Sequence, residues 1–190
     1  ASALKLSTQL QFELAKMSGE RGQWLRVLEN AQKLAKVEAE SPFAHHALGL
    51  AYLNLRTTED SYAGLGETHL QRALELDPTN VDIVKDVVEQ SWLSAGQKEV
   101  AGLKTEAEAL QKAAESTLAS AIEKSDSLDA PERVAELREL QAKLMIQKGE
   151  REAGLELLKQ LAELETKRAG AHLLLAEMYA GADPGRTEPD

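Results

Sequence analysis

The chain has 190 residues and a mass of 20.7 kDa, with 43% hydrophobic and 28% charged residues, a composition that excludes a disordered polymer and suits one globular domain. It contains no cysteine, which excludes a disulfide framework, a thiolate zinc site and a cysteine nucleophile. A formal net charge of −10 argues against nucleic acid and anionic lipid as partners, and no window reaches the ~18 apolar residues of a membrane span, so a soluble protein, cytoplasmic or periplasmic, is expected.

Leu, Ala, Glu, Lys and Gln predominate, and alternating Val/Ile/Thr runs of strand type are absent, so the elements are helices. In chain order they are predicted at 3–18, 21–40, 42–56, 66–77, 79–95, 97–125, 130–148, 150–166 and 168–180. Ser18-Gly19 and Gly22 divide the first pair. Ser41, Asp77 and Asp129 stand as caps before Pro42, Pro78 and Pro131, where a missing N–H costs nothing. Gly96 and Gly149 mark later stops. Between 57 and 65 the sequence TTEDSYAGL reads as an exposed loop. The segment 97–125 would be ~40 Å long at ~1.5 Å per residue, with Val100, Leu103, Ala107, Leu110, Ala114, Thr117 and Ala121 as a seam. It is expected to pack on the stripe Val134, Leu137, Leu140 and Leu144; a break near Ala114 to Ser120 is the alternative. Residues 181–190 lack apolar periodicity and read as a disordered tail.

Short loops make consecutive helices antiparallel, and the resulting hairpins repeat. His45, Leu48, Gly49 and Tyr52, followed by Gly66, Leu70, Ala73 and Pro78, carry one clear unit. This unit resembles the tetratricopeptide repeat, a helix–turn–helix of about 34 residues. His stands for the family's Trp and Leu for its Phe, while Ala73 to Pro78, ALELDP, closes the unit as the family does. Weaker copies begin at Ser7, Val84 and Leu137, and His172, Leu175, Ala176 and Tyr179 look like a last unpaired helix. The resemblance implies an all-α, right-handed superhelical solenoid over 1–180, with repeats at about 3–40, 42–78, 79–125 and 130–166 and a terminal helix 168–180.

Signals for catalysis are thin. None of the four histidines has a second His four residues away, Gly64-Leu65-Gly66 lacks the Lys of a phosphate loop, and the carboxylates are scattered over polar faces. No enzyme activity, metal or cofactor is expected; His45 and His172 read as packing residues. The charge is evenly spread, without a basic stripe for nucleic acid.

Helix 42–56 is apolar on two sides. His45, Leu48, Gly49, Tyr52 and Leu55 share one, and Phe43, His46, Ala47, Leu50, Leu53 and Asn54 the other. In the family the second side lines a concave groove where peptides dock, and Phe12 occupies the slot equivalent to Leu50. The resemblance therefore implies a non-catalytic scaffold that holds a protein or peptide along Phe12, Phe43, His46 and Leu50, then Lys85, Glu89 and Arg138. Packing of Phe43 and Leu53 inside the fold is the competing reading. Some family members grip a C-terminal carboxylate with Lys, Asn and Arg. Here the matching slots hold Thr8, Phe12, Ala47, Asp82 and Asp86, so an acidic peptide is not the expected ligand. Two further readings stand: a self-association module, and an accessory domain of a larger enzyme or cell-envelope complex. The start at Ala1 predicts a mature or shortened product, leaving a removed signal or anchor open.

Overall fold

A computed structural model describes residues 2–58, 61–128, 130–164 and 175–176. Among them the regular elements are eight α-helices, one short 3₁₀ turn and no strand: α1 (Ser2–Ser18), α2 (Arg21–Val37), α3 (Pro42–Leu55), the turn Arg56–Thr58, α4 (Ser61–Leu76), α5 (Val81–Val100), α6 (Lys104–Ser127), α7 (Pro131–Gln147) and α8 (Arg151–Leu164). The predicted helix 168–180, the tail 181–190 and the cap Asp129 fall outside the described residues, apart from the helical pair 175–176. The chain divides into two units, Ala1–Thr117 and Leu118–Asp190.

Within the first unit the principal packing runs α1 on α2, α2 on α3, α3 on α4 and α4 on α5, each helix against its neighbour in sequence. Local chemistry sets the ends. Ser41 Oγ accepts from the Ala44 N–H at 3.3 Å with Pro42 in the first turn, as the sequence implies. At the next boundary the cap is Asn80, whose Oδ1 accepts from the Ile83 N–H at 3.3 Å. Asp77 instead accepts from the Asn80 side chain at 3.2 Å, fixing the turn before the helix. The two apolar sides of α3 have a simple cause: the helix is central. Ala44, Ala47, Leu48, Leu50, Ala51, Leu53 and Leu55 are all buried, with α2 on one flank and α4 on the other.

Two expected boundaries are corrected. The segment 57–65 is not one loop: α4 begins at Ser61, so Ser61 to Leu65 add more than a turn of helix ahead of Gly66. The helix expected at 97–125 is also not one element, and its break lies neither at Gly96 nor near Ala114. α5 runs through Gly96 to Val100 and stops at Gly102, whose φ is +79°. The Leu103 N–H reaches the Lys98 carbonyl and the Gly102 N–H the Glu99 carbonyl, both at 2.9 Å. That pair of bonds satisfies the last carbonyls of α5 around a left-handed residue, a role glycine fills without a Cβ clash. Gly96 by contrast stays helical and simply leaves a dent in the surface.

In the second unit α7 and α8 form a hairpin. The α7 stripe Val134, Leu137, Leu140 and Leu144 is buried as its period requires, and Leu158, Leu161 and Ala162 of α8 are buried with it. Gly154 lets α8 approach closely, since a Cβ there would lie 2.8 Å from the Ala142 carbonyl.

Candidate protein-binding surface

The aromatic groove residues meet inside the first unit. Phe12 on α1 is 3% exposed, His46 4% and Leu50 5%, so all three are core side chains rather than surface anchors. The Phe12 ring lies edge-on to Phe43 at 5.6 Å and to His46 at 5.2 Å. His46 Nε2 donates to Asp86 Oδ2 at 2.7 Å, and Lys16 Nζ stands 3.8 Å from the same oxygen and 5.4 Å from the Phe12 ring centroid. One contact set thus ties α1, α3 and α5 together. Phe43 is only partly buried. The competing reading, packing of Phe43 and Leu53 within the fold, describes Leu53, which is buried, and Phe43 in part; Phe12, His46 and Leu50 are buried with them.

The exposed surface lies further along, on α5. At 100° per residue Asp82, Lys85, Glu89, Leu93, Gly96 and Val100 fall on one face, about half a turn from the buried Ile83, Val84 and Val88. Lys85 and Asp82 are exposed and Glu89 partly so. Two turns later the same face becomes apolar: Leu93 is 47% and Val100 92% exposed. Trp92, Leu93, Gly96, Gln97 and Val100 line an open depression of about 580 Å³. The polarity order therefore differs from the expected one, with the accessible apolar end after the charged stretch rather than before it. Sequence reasoning does not join Leu93 to Val100, because Gly96 reads as a stop and places Val100 on a different helix. Arg138 sits on α7 in the second unit, partly exposed. A second cavity of about 450 Å³ opens between α3, α4, α5 and the start of α6, with Glu67, Gln71, Gln90 and Lys98 beside Leu53, Leu70, Val87 and Leu110.

No known family profile matches the sequence, and no curated protein matches it. Among solved structures the chain is similar to the crystal structure of a thermophilic tetratricopeptide repeat protein in Thermus thermophilus, with a TM-score of 0.57 at 17% identity. The likeness covers 91% of this chain and 81% of that one. The fold is a tetratricopeptide repeat fold.

In tetratricopeptide terms α3 and α4 are the two helices of the clearest repeat, and their close approach is visible at Gly49 and Gly66. A histidine pair occupies the side of this repeat away from Phe12. His45 and His69 approach Nδ1 to Nδ1 at 2.9 Å, and His45 Nε2 lies 3.0 Å from the Ala39 carbonyl. A carbonyl only accepts, so in the neutral pair His45 carries its proton on Nε2 and His69 Nδ1–H donates to His45 Nδ1. His69 also stacks on Tyr52, ring centroids 5.7 Å apart, and the Tyr52 hydroxyl accepts from Gln32 at 3.1 Å. His45 in the Trp slot therefore packs by hydrogen bonding as well as by area. Among the described residues no group of three or more potential ligands could hold a metal ion, and no helix is long and apolar enough to cross a membrane.

Burial, then the neighbouring His45, holds His69 below the ordinary histidine range. Above pH ~6.5 both folded and unfolded chains are neutral at this position, and its contribution is intact. As pH falls below ~6.5 the unfolded chain takes up a proton that the folded chain resists, so stability declines until folded His69 also protonates. Urea unfolding from pH 7.5 to 5 should show this loss, and His69→Gln should flatten it. A parent midpoint constant over that range would contradict the assignment.

Proposed function

We propose that this tetratricopeptide chain is a non-catalytic scaffold that holds a protein or peptide on the outer face of α5. One observation carries the reading: an exposed helix face that is charged at Asp82, Lys85 and Glu89, with one net negative charge, and apolar at Leu93 and Val100, with Gly96 opening a depression between them. A protein that keeps this much apolar surface in contact with water is spending stability on something other than its own fold. Lys85 and Glu89 remain ligand-facing candidates, Phe43 is partly exposed, and Phe12, His46 and Leu50 belong to the core behind it. Repeat folds suit the task, because each hairpin needs only its neighbours and the outer faces stay available. The complementary partner is an amphipathic segment with apolar anchors and basic neighbours, suited to the net negative charge of this face.

The test uses a synthetic amphipathic Leu/Lys helix peptide and its Leu/Glu counterpart, titrated calorimetrically. Binding of the Leu/Lys form alone is expected. Leu93→Ser should weaken it about tenfold, ~1.4 kcal/mol, while leaving the melting curve unchanged, because Leu93 is half exposed. Equal affinity for the two peptides, or indifference to Leu93→Ser, would remove the α5 face from consideration.

A further inference from the structure

His45 on α3 and His69 on α4 are 24 residues apart in sequence, yet their Nδ1 atoms lie 2.9 Å from each other. Both rings are half-buried, and each is held by a further group. His45 donates its Nε2–H to the Ala39 carbonyl at 3.0 Å, which leaves a lone pair on Nδ1 facing His69. His69 lies flat on Tyr52, with the ring planes 10° apart, and the Tyr52 hydroxyl accepts from Gln32. A backbone carbonyl on the second ring nitrogen is the usual support of a metal-binding imidazole, because it fixes both the tautomer and the direction of the ligating atom.

We propose that His45 and His69 bind one divalent zinc ion through their Nδ1 atoms and so tie α3 to α4. Two imidazoles on one tetrahedral ion, at metal–nitrogen distances of ~2.0–2.1 Å, have ring centres about 5.2 Å apart. The His45 and His69 centroids are 5.1 Å apart. The rings therefore need a swivel in place, which opens the two Nδ1 atoms from 2.9 Å to about 3.3 Å around the ion. The proton balance closes as well. His69 moves its Nδ1 proton to Nε2 through solvent and His45 keeps its own on Nε2, so both rings stay neutral and no proton is released. Burial and the neighbouring His45 already hold His69 below the ordinary histidine range, so protons compete little for it at neutral pH. Among the described residues no third His, Asp or Glu completes the set, and Arg72 holds the carboxylates of Glu40 and Glu75 at 2.6 and 3.0 Å. Water fills the two remaining positions. Paired imidazoles suit zinc and its late-transition neighbours rather than magnesium or calcium, which take oxygen ligands. His46 is closed to an ion, being 4% exposed and bonded to Asp86.

Imidazole nitrogen NMR spectra of the parent chain read the proposal directly. Without metal His69 should show the Nδ1–H tautomer. At saturating zinc it should show Nε2–H, with the Nδ1 signals of both His45 and His69 displaced and the protonation pattern of His46 unchanged. Calorimetry should find one zinc per chain and no heat with magnesium at the same concentration. His45→Gln and His69→Gln should each lose that binding, and His172→Gln should keep it. The zinc-loaded parent should also need more urea to unfold than the metal-free chain, since the ion binds the folded pair better than two histidines of a loose chain. No zinc uptake by the parent at millimolar concentration, a His69 tautomer unchanged by zinc, or binding that survives His69→Gln or is lost with His172→Gln would each overturn the proposal.

Discussion

Val84→Asp is expected to abolish folding of the first unit at neutral pH. Val84 is fully buried on α5, and the other residues that this helix buries, Ile83, Val88 and Ala95, are apolar as well. A carboxylate buried on this apolar side of α5 would be held protonated by desolvation, at the cost of a large upward pKa shift. Shifts of three to five units at buried sites correspond to about 4–7 kcal/mol, before the lost valine contacts are counted. That is comparable to the whole stability of a small domain. Circular dichroism in urea should show the helical signal of the first unit gone or its midpoint near zero denaturant. A midpoint close to that of the parent would mean that α5 does not bury this face.

Gly49→Val carries the second largest effect and concerns the close approach of α3 and α4. A Cβ on Gly49 would lie 2.6 Å from Leu70 Cγ and 3.0 Å from the Leu70 backbone nitrogen. A Cβ on Gly66, in the facing helix, would lie 2.6 Å from Leu53 Cγ and 3.0 Å from the Gly49 carbonyl oxygen. Leu70 could rotate away from an added methyl group; the backbone atoms cannot move without separating α3 from α4. Overpacking of this kind costs about 1–3 kcal/mol, and the branched valine should reach the top of that range. Gly64→Ala is the control. It lies in the same helix α4 with nothing within 4 Å of an added Cβ, so the change should stabilise by up to ~1 kcal/mol through helix propensity. Opposite shifts in the urea midpoint are the expected outcome. If both variants were stabilised, the close approach at Gly49 would be absent.

Helix formation, the hairpin order and the α3–α4 repeat follow from short-range information. Ser41 before Pro42 starts a helix wherever it occurs, and the small residues at Gly49, Gly66 and Ala73 mark a close approach at their own spacing. The buried stripe of α7 is likewise its own 3.6-residue period. Where the glycines act could not be read in this way. Gly96 and Gly102 look alike in sequence, yet one remains inside α5 and the other ends it, because only Gly102 is followed by a residue whose N–H closes back on Lys98. That choice moved Val100 from a supposed seam to the exposed face of α5.

What the sequence by itself determined is therefore the class of structure: an all-helical row of hairpins with one clear tetratricopeptide unit, since periodicity, caps and small-residue spacing act within a few turns of chain. Which apolar side faces water was decided only by tertiary structure. Phe12, His46 and Leu50 have the same local pattern as Leu6, Leu10 and Leu93, and an amphipathic helix carries no label saying which of two apolar faces has a neighbour. The Phe12–Phe43–His46 contacts and the bond from His46 to Asp86, 40 residues away in sequence, close one set into the core. Leu10 and Leu93 are left at the surface because no helix of the first unit packs over them.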